Sequence, residues 1–205
     1  MKYHDYLNMI PAQYSGKEIE AGSDTELKDI EEAKTFYSEV KNRLLNVNNW
    51  HEVAGMISAK FQLVDASGKE VTRSTEKGDY LKIDIPGPGS KAGDGYDWAL
   101  VEELNELNNG DNQSVGFRVR PCENPLGDKR ETAHFYSDES TSNFIVTREG
   151  KKVSAWIIDR NIKPNQDAES ITDQIRDSTV GIGALGLFSK VQWQALADAF
   201  VKNKK

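Results

Sequence analysis

The chain has 205 residues, 33 acidic against 26 basic side chains and a net charge of −7, which suits one soluble domain with a real core and argues against bulk nucleic-acid binding, where clustered Lys and Arg must displace counterions. The single cysteine, Cys122, excludes an intrachain disulfide and a four-ligand zinc knuckle and fits a reducing cytoplasm. The first residues carry no basic region followed by an apolar run, and no apolar stretch is long enough to span a bilayer, so neither a signal peptide nor a membrane span is expected.

In chain order, Tyr3, Tyr6, Leu7 and Ile10 allow a turn or two of amphipathic structure before Pro11, and residues 1–22 read as an N-terminal arm whose run at 15–18 is loop. Ser23-Asp24-Thr25-Glu26 reads as a capping box opening a long helix. Leu27, Ile30, Ala33, Tyr37, Val40, Leu44 and Val47 give that helix one apolar stripe, and the asparagines at 46, 48 and 49 end it. Trp50-His51-Glu52-Val53 then forms a short turn.

From Met56 the period changes to two. Ile57, Ala59, Phe61 and Leu63 mark a half-buried strand, Asp65-Ala66-Ser67-Gly68 a turn, and residues 69–74 a returning strand of the same hairpin. Leu81, Ile83 and Ile85 mark the next strand, which Pro86 ends. A glycine-rich loop over 87–95 leads into a strand over 96–107, and Asn108-Asn109-Gly110-Asp111 is a turn. Val115, Phe117 and Val119 face one side of the following strand, with Arg118 and Arg120 on the other. Short strands are expected over 132–136 and 142–148, then Glu149-Gly150 turns into a strand over 151–159 with Val153, Ala155 and Ile157 on one face.

After Pro164, Ile171, Ile175 and Val180 suggest a helix, Gly181, Gly183 and Gly186 loosen the chain, and Ser189-Lys190-Val191-Gln192 reads as a second capping box opening a terminal helix. The expectation is therefore an α+β fold: an antiparallel, curved β-sheet meander of about seven strands with a long N-terminal helix and a C-terminal amphipathic helix packed on it, residues 23–205 forming a single domain.

That order resembles the helix-grip fold of the Bet v 1, START and polyketide-cyclase-like superfamily. The residues that carry the likeness are Trp50-His51-Glu52-Val53 before the first long strand, the loop over 87–95 and the terminal helix from Ser189. In two places the chain departs from the pattern. The superfamily opens with a strand where the long capped helix is read here, and its closing helix is uninterrupted where glycines stand here. The resemblance implies a pocket between sheet and last helix that takes an apolar or amphipathic small molecule. It implies no particular ligand and no catalytic residue.

The loop Gly87-Pro88-Gly89-Ser90-Lys91-Ala92 superficially fits a dinucleotide fingerprint, but a strand follows it where the fingerprint needs a helix N-terminus. A hairpin loop is the better reading, with Lys91 able to touch a ligand at the rim. Asp94, Asp97, Glu102 and Glu103 lack calcium-loop spacing and read as solvated carboxylates. No cofactor and no metal is expected. His134 and Tyr136 are the first groups to check for acid–base chemistry, because alternation would put both on one strand face. Most of Trp50, Trp98, Phe117, Phe135, Phe144, Trp156 and Trp193 read as core aromatics, and Trp98, Phe117, Phe135, Phe144, Trp156 and Trp193 are the candidates to line a cavity if the sheet curves round the last helix. Three functions stay open: a ligand-binding pocket protein, a cyclase- or hydrolase-like enzyme in the same pocket, and a protein-interaction module. The sequence does not give the oligomeric state.

Overall fold

A computed structural model describes residues 3–55, 59–85, 90–128, 130–165 and 181–203, the side chains of the last segment from Ser189 onward. Its elements are β1 (Lys17–Glu26), α1 (Ile30–Leu45), a 3-10 turn (Val47–Asn49), α2 (Trp50–Ala54), β2 (Lys60–Val64), β3 (Tyr80–Asp84), β4 (Asp97–Asn108), β5 (Asn112–Pro121), β6 (Thr141–Glu149), β7 (Lys152–Ile162) and α3 (Gly181–Phe200). The seven strands form one antiparallel sheet in the order β1-β7-β6-β5-β4-β3-β2. The helices α1 and α2 carry the chain from one edge of the sheet to the other, and the meander from β2 to β7 returns to pair with β1. This is the expected α+β, helix-grip-like architecture.

Its first strand was not expected. Residues 17–26 are neither loop nor capping box: Ile19 and Ala21 are buried, and Ser23 pairs with Ala155 of β7. The strand therefore crosses the arm boundary drawn at residue 22 and supplies the element that the helix-grip order has at this place. The helix begins six residues later on a second copy of the same chemistry. Asp29 accepts a hydrogen bond from the Glu32 N–H at 2.9 Å, and the Glu32 carboxylate accepts one from the Lys28 N–H at 3.0 Å. Ala33, Tyr37, Val40 and Leu44 are buried as the stripe requires, whereas Ile30, in the first turn, is exposed. Asp29→Ala should lose about 1 kcal/mol of stability through the lost cap, and Ser23→Ala less than about 0.5 kcal/mol. Urea midpoints of the two variants decide this, and the reverse order would restore the cap to Ser23.

Residues 69–74 do not form the second strand of a hairpin. The side chain of Asn48 explains why. Its Oδ1 accepts the Leu63 N–H at 2.6 Å and its Nδ2 donates to the Val71 carbonyl at 2.8 Å, so the amide sits where one rung of the ladder would be. Two direct bonds, from the Val71 N–H to the Leu63 carbonyl and from the Asp65 N–H to the Lys69 carbonyl, and a single bridge between Val64 and Glu70 remain. The partner of β2 is β3 instead. Residues 132–136 are likewise no strand; Tyr136 makes an isolated bridge to Pro164. At the C-terminus, α3 runs unbroken from Gly181 through Ser189, so Ser189 opens no helix and the glycines at 181, 183 and 186 lie inside one. Met56 and Ile57, residues 86–89 of the glycine loop, and Ile171, Ile175 and Val180 lie outside the described residues.

The concave face of the sheet holds the core, and Trp50 of α2 is its centre. The indole is fully buried, and the rings of Phe61, Phe117, Phe144 and Phe200 surround it at centroid distances of 4.8 to 6.0 Å. Its N–H is shared between the carbonyls of Arg43 and Leu44, both at 3.1 Å, at the end of α1. The arm crosses the opposite, convex face. Tyr3 packs edge-on against Trp156, Tyr6 donates to Glu149 at 2.6 Å, and Arg118 donates to the Met9 carbonyl. The Asn161 side chain accepts from the Tyr14 and Ser15 N–H groups and donates to the Ala12 carbonyl. Gly116 makes the close approach feasible, because a Cβ there would stand 3.1 Å from Leu7 and 2.8 Å from Ile145.

Candidate active or binding site

At one end of the concave face the apolar pattern gives way to polar groups. On β7, Val153, Ala155 and Ile157 face the core, and the next residue of that alternation is Asp159, opposite Ser142 of β6. On β4, Ala99 and Val101 face the core, and the preceding residue of the series is Asp97. Both carboxyl groups are buried, Asp97 at 2% and Asp159 at 0% exposure. This corrects the solvated reading of Asp97. Its companions differ: Glu102 and Glu103 pair with Arg118, Glu102 also with Arg120, and Asp94 is exposed beside Asn124.

The segment 132–136 closes this end. The side chain of Asn165 donates to the carbonyls of Thr132 and His134 at 2.9 and 3.0 Å, and its N–H donates to the Phe135 carbonyl at 2.9 Å. The Trp98 N–H donates to the Ala133 carbonyl at 2.7 Å, fastening the segment to the start of β4. His134 is thereby buried with Nδ1 4.0 Å from Asp97 Oδ2, while that Nδ1 accepts the Tyr136 N–H at 2.9 Å. Tyr136 reaches α3, where its hydroxyl lies 2.9 Å from Ser189 Oγ. One turn on, Trp193 donates its indole N–H to Asp159 Oδ2 at 2.8 Å and stands edge-on against Phe144, centroids 5.4 Å apart.

Burial governs the protonation of these groups. It pushes the Asp97 carboxyl up to about 7, against the pull of the Phe135 and Ser90 N–H groups. It pushes Asp159 up to about 7 as well, against Ser142, Trp193 and Arg160. It lowers His134 to about 3, so the imidazole is neutral at physiological pH and makes no ion pair with Asp97. The Tyr136 phenol is raised by burial. Asp97 Oδ1 and Asp159 Oδ1 are buried with no hydrogen-bond partner among the described residues. Such atoms are uncommon in folded proteins and are concentrated where a ligand, water or chemistry completes them. Each of these oxygens can therefore accept a hydrogen bond from a donor.

The aromatic residues named from the sequence divide between the two faces. Phe117 and Phe144 lie together on the concave face, centroids 5.2 Å apart, and Trp193 joins Phe144 from α3. Phe135 is half-buried between His134 and Tyr136. Trp98 belongs to a small separate cluster with Val64 and Ala133, across the sheet from the core. Trp156 is under the arm on that same convex face, where Tyr3, Tyr6, Glu149 and Lys152 help to enclose a cavity of about 10 Å³, room for one water. Lys91 is exposed on the turn before β4. His134 and Tyr136 are brought together, ring centroids 5.8 Å apart, by the closing segment and not by a strand. Among the described residues no three His, Cys, Asp or Glu side chains converge as a metal site would require. Cys122 is partly buried with its thiol pushed up to about 12, mainly by burial, so it is not activated as a nucleophile.

No protein-family model matches the chain. No curated protein matches it by sequence. Solved structures do match in shape. The crystal structure of the hypothetical protein jhp0584 from Helicobacter pylori is 11% identical, with 98% of this chain and 94% of that one covered and a TM-score of 0.50. Norcoclaurine synthase from Thalictrum flavum is 13% identical over 95% of each chain, TM-score 0.38. Major latex-like protein 151 from Panax ginseng is 15% identical over 84% of this chain and 99% of that one, TM-score 0.37. At these identities the likeness is one of fold. Among the described residues no helix is long and apolar enough to cross a membrane.

Proposed function

We propose that the chain is a cytoplasmic member of the helix-grip superfamily that binds a small amphipathic molecule between the sheet and α3, at the Asp97–Asp159 end of the concave face. The observation that carries this is the pair of buried carboxyl oxygens without partners among the described residues, of which Asp159 is joined to the Phe144–Trp193 wall through the Trp193 indole. The wall takes the apolar body of the ligand, with Phe117 behind it. The carboxyl groups take its hydrogen-bond donors. Phe135 and Lys91 are rim residues in this reading, and Trp98 and Trp156 support the sheet from its other face. Native mass spectrometry of the purified chain should find one small molecule per chain, or the empty chain should take up the neutral dye N-phenyl-1-naphthylamine at one per chain. Trp193→Leu should weaken the dye at least about tenfold, the scale of a lost apolar side-chain contact. A chain that purifies empty and shows no saturable dye binding overturns the proposal.

The two carboxyl groups poised near pH 7 favour a second reading, a cyclase- or hydrolase-like enzyme in the same pocket. Asp159 would then move the proton, with the Tyr136 and Ser189 hydroxyls orienting the substrate and His134 serving as a neutral hydrogen-bonding group. An enzyme of this kind has a pH–rate profile with an inflection near 7 that Asp159→Asn removes while dye binding persists. A profile flat through that range overturns it.

A further inference from the structure

Asp159 is the more demanding of the two carboxyl groups. Trp193 satisfies Oδ2; the Ser142 hydroxyl on the facing strand favours the carboxylate, yet Oδ1 makes no hydrogen bond of normal geometry among the described residues. No lysine or arginine among the described residues pairs with it. The adjacent Arg160 turns to the other side of the strand and bonds Glu18 at 3.7 Å and Glu20 at 2.6 Å. A hydroxyl ligand would meet the hydrogen bond of Oδ1 but, once the carboxyl ionises, would leave its charge without a close ion-pair partner in a site with no solvent exposure. An anionic ligand would add a second negative charge. An ammonium group meets both needs. Around Asp159 stand features that a small organic cation uses: two hydroxyl acceptors, Tyr136 and Ser189, 2.9 Å from each other, and the Trp193 indole that already bonds Oδ2.

Resting on the pocket reading above, we propose that Asp159 is an ammonium subsite and that the ligand is a primary or secondary amine carried on an apolar, ring-containing body. One N–H is donated to Asp159 Oδ1, another to the Tyr136–Ser189 hydroxyl pair, and the carbons next to nitrogen lie against Trp193 and Phe144.

The groups that face Asp159 are Ser142 from β6, Tyr136 from the closing segment, Trp193 and Ser189 from α3, and Arg160 beside it on β7. Of these only Asp159 itself titrates between pH 5 and 8. Amine binding must therefore expel the carboxyl proton when one is present. With the free carboxyl near 7, amine affinity should fall about fivefold from pH 7 to pH 6, while the affinity of a matched alcohol stays level.

The test is calorimetric titration of the full chain with 3-phenylpropylamine, 3-phenylpropan-1-ol and 3-phenylpropanoate. The amine should bind about tenfold tighter than the alcohol, a difference of about 1.4 kcal/mol, and the acid weakest of the three. Asp159→Asn should erase the amine preference and leave the alcohol within about twofold. If that variant does not fold, the wild-type chain still decides: in buffers of different ionisation enthalpy at pH 7, amine binding releases protons and alcohol binding does not. An alcohol that binds as tightly as the amine overturns the subsite and leaves the pocket standing, as does an amine preference that survives Asp159→Asn. Failure of all three compounds and of the neutral dye overturns the pocket itself.

Discussion

Trp50→Ala is expected to lose about 3–5 kcal/mol of folding stability, the range for removing a large aromatic from a packed core. Two contributions add here. The indole touches four phenylalanine rings drawn from β2, β5, β6 and α3, so its removal opens a cavity walled by elements that cannot close on it together. It also strips the shared hydrogen bond from the Arg43 and Leu44 carbonyls, two of the last carbonyls of α1, which have no helical N–H to take its place. Trp50→Phe separates the two: it keeps most of the packing, loses the N–H, and should cost about 1–2 kcal/mol. Against a total of about 5–15 kcal/mol for a domain of this kind, the alanine variant sits close to the threshold of folding. Urea unfolding at constant m-value measures both. A loss under about 1 kcal/mol for Trp50→Ala would show that the indole is peripheral to the core.

Sequence reading places Trp50 both in a short turn and among the core aromatics; its central position is what local pattern does not show. Periodicity identifies residues that recur, as on α1 beyond its first turn, β3, β5 and β7, where the stripe and the alternation match buried positions. Trp50 belongs to a helix of five residues, too short to show a period. The strand β1 was hidden by degeneracy: Ser23-Asp24-Thr25-Glu26 satisfies the capping pattern, and only the competing Asp29–Glu32 pair and the partner strand β7 decide against it. The 69–74 segment fails as a strand because an asparagine fifteen residues before Leu63 takes its place in the ladder, an event that no local pattern records. For the site the balance is different. Asp159 occupies the slot that follows Val153, Ala155 and Ile157, so a carboxyl on the buried face was readable from alternation alone. Asp97 was readable in the same way from Ala99 and Val101. What the sequence could not supply is the closing segment 132–136, whose hydrogen bonds to Asn165 and to β4 bring His134 and Tyr136 to the two carboxyl groups.

The stability of the unliganded chain should rise on acidification from pH 7.5 to pH 5, the reverse of ordinary acid destabilisation. Asp97 and Asp159 have folded values near 7 against 3.8 for the free side chain, so the folded chain keeps protons that the unfolded chain releases. Their contribution is complete below about pH 4 and is lost as pH rises through 7, at about 4 kcal/mol each. His134 works the other way. Its folded value near 3 lies below 6.5, so its contribution is present above 6.5 and is lost as pH falls. Two groups against one leave a net gain of about 3 kcal/mol between pH 7.5 and 5. Below that, Glu102 and Glu149, held down by their hydrogen-bond partners, lose stability on protonation and close the window. The double variant Asp97→Asn/Asp159→Asn keeps only the histidine, so its stability should fall over the same interval, by about 2 kcal/mol. Denaturation midpoints at pH 5, 6.3 and 7.5 give both slopes, and parallel curves for the two proteins would show that the carboxyl groups are already ionised in the folded chain. The same linkage connects stability to the ligand. In the proposed reading the carboxyl groups lose their protons at physiological pH without gaining a partner among the described residues, and a bound ammonium would supply one to Asp159. Saturating 3-phenylpropylamine should therefore raise the wild-type midpoint more at pH 7.5 than at pH 5, and an equal rise at both would show that the amine binds without engaging a carboxylate.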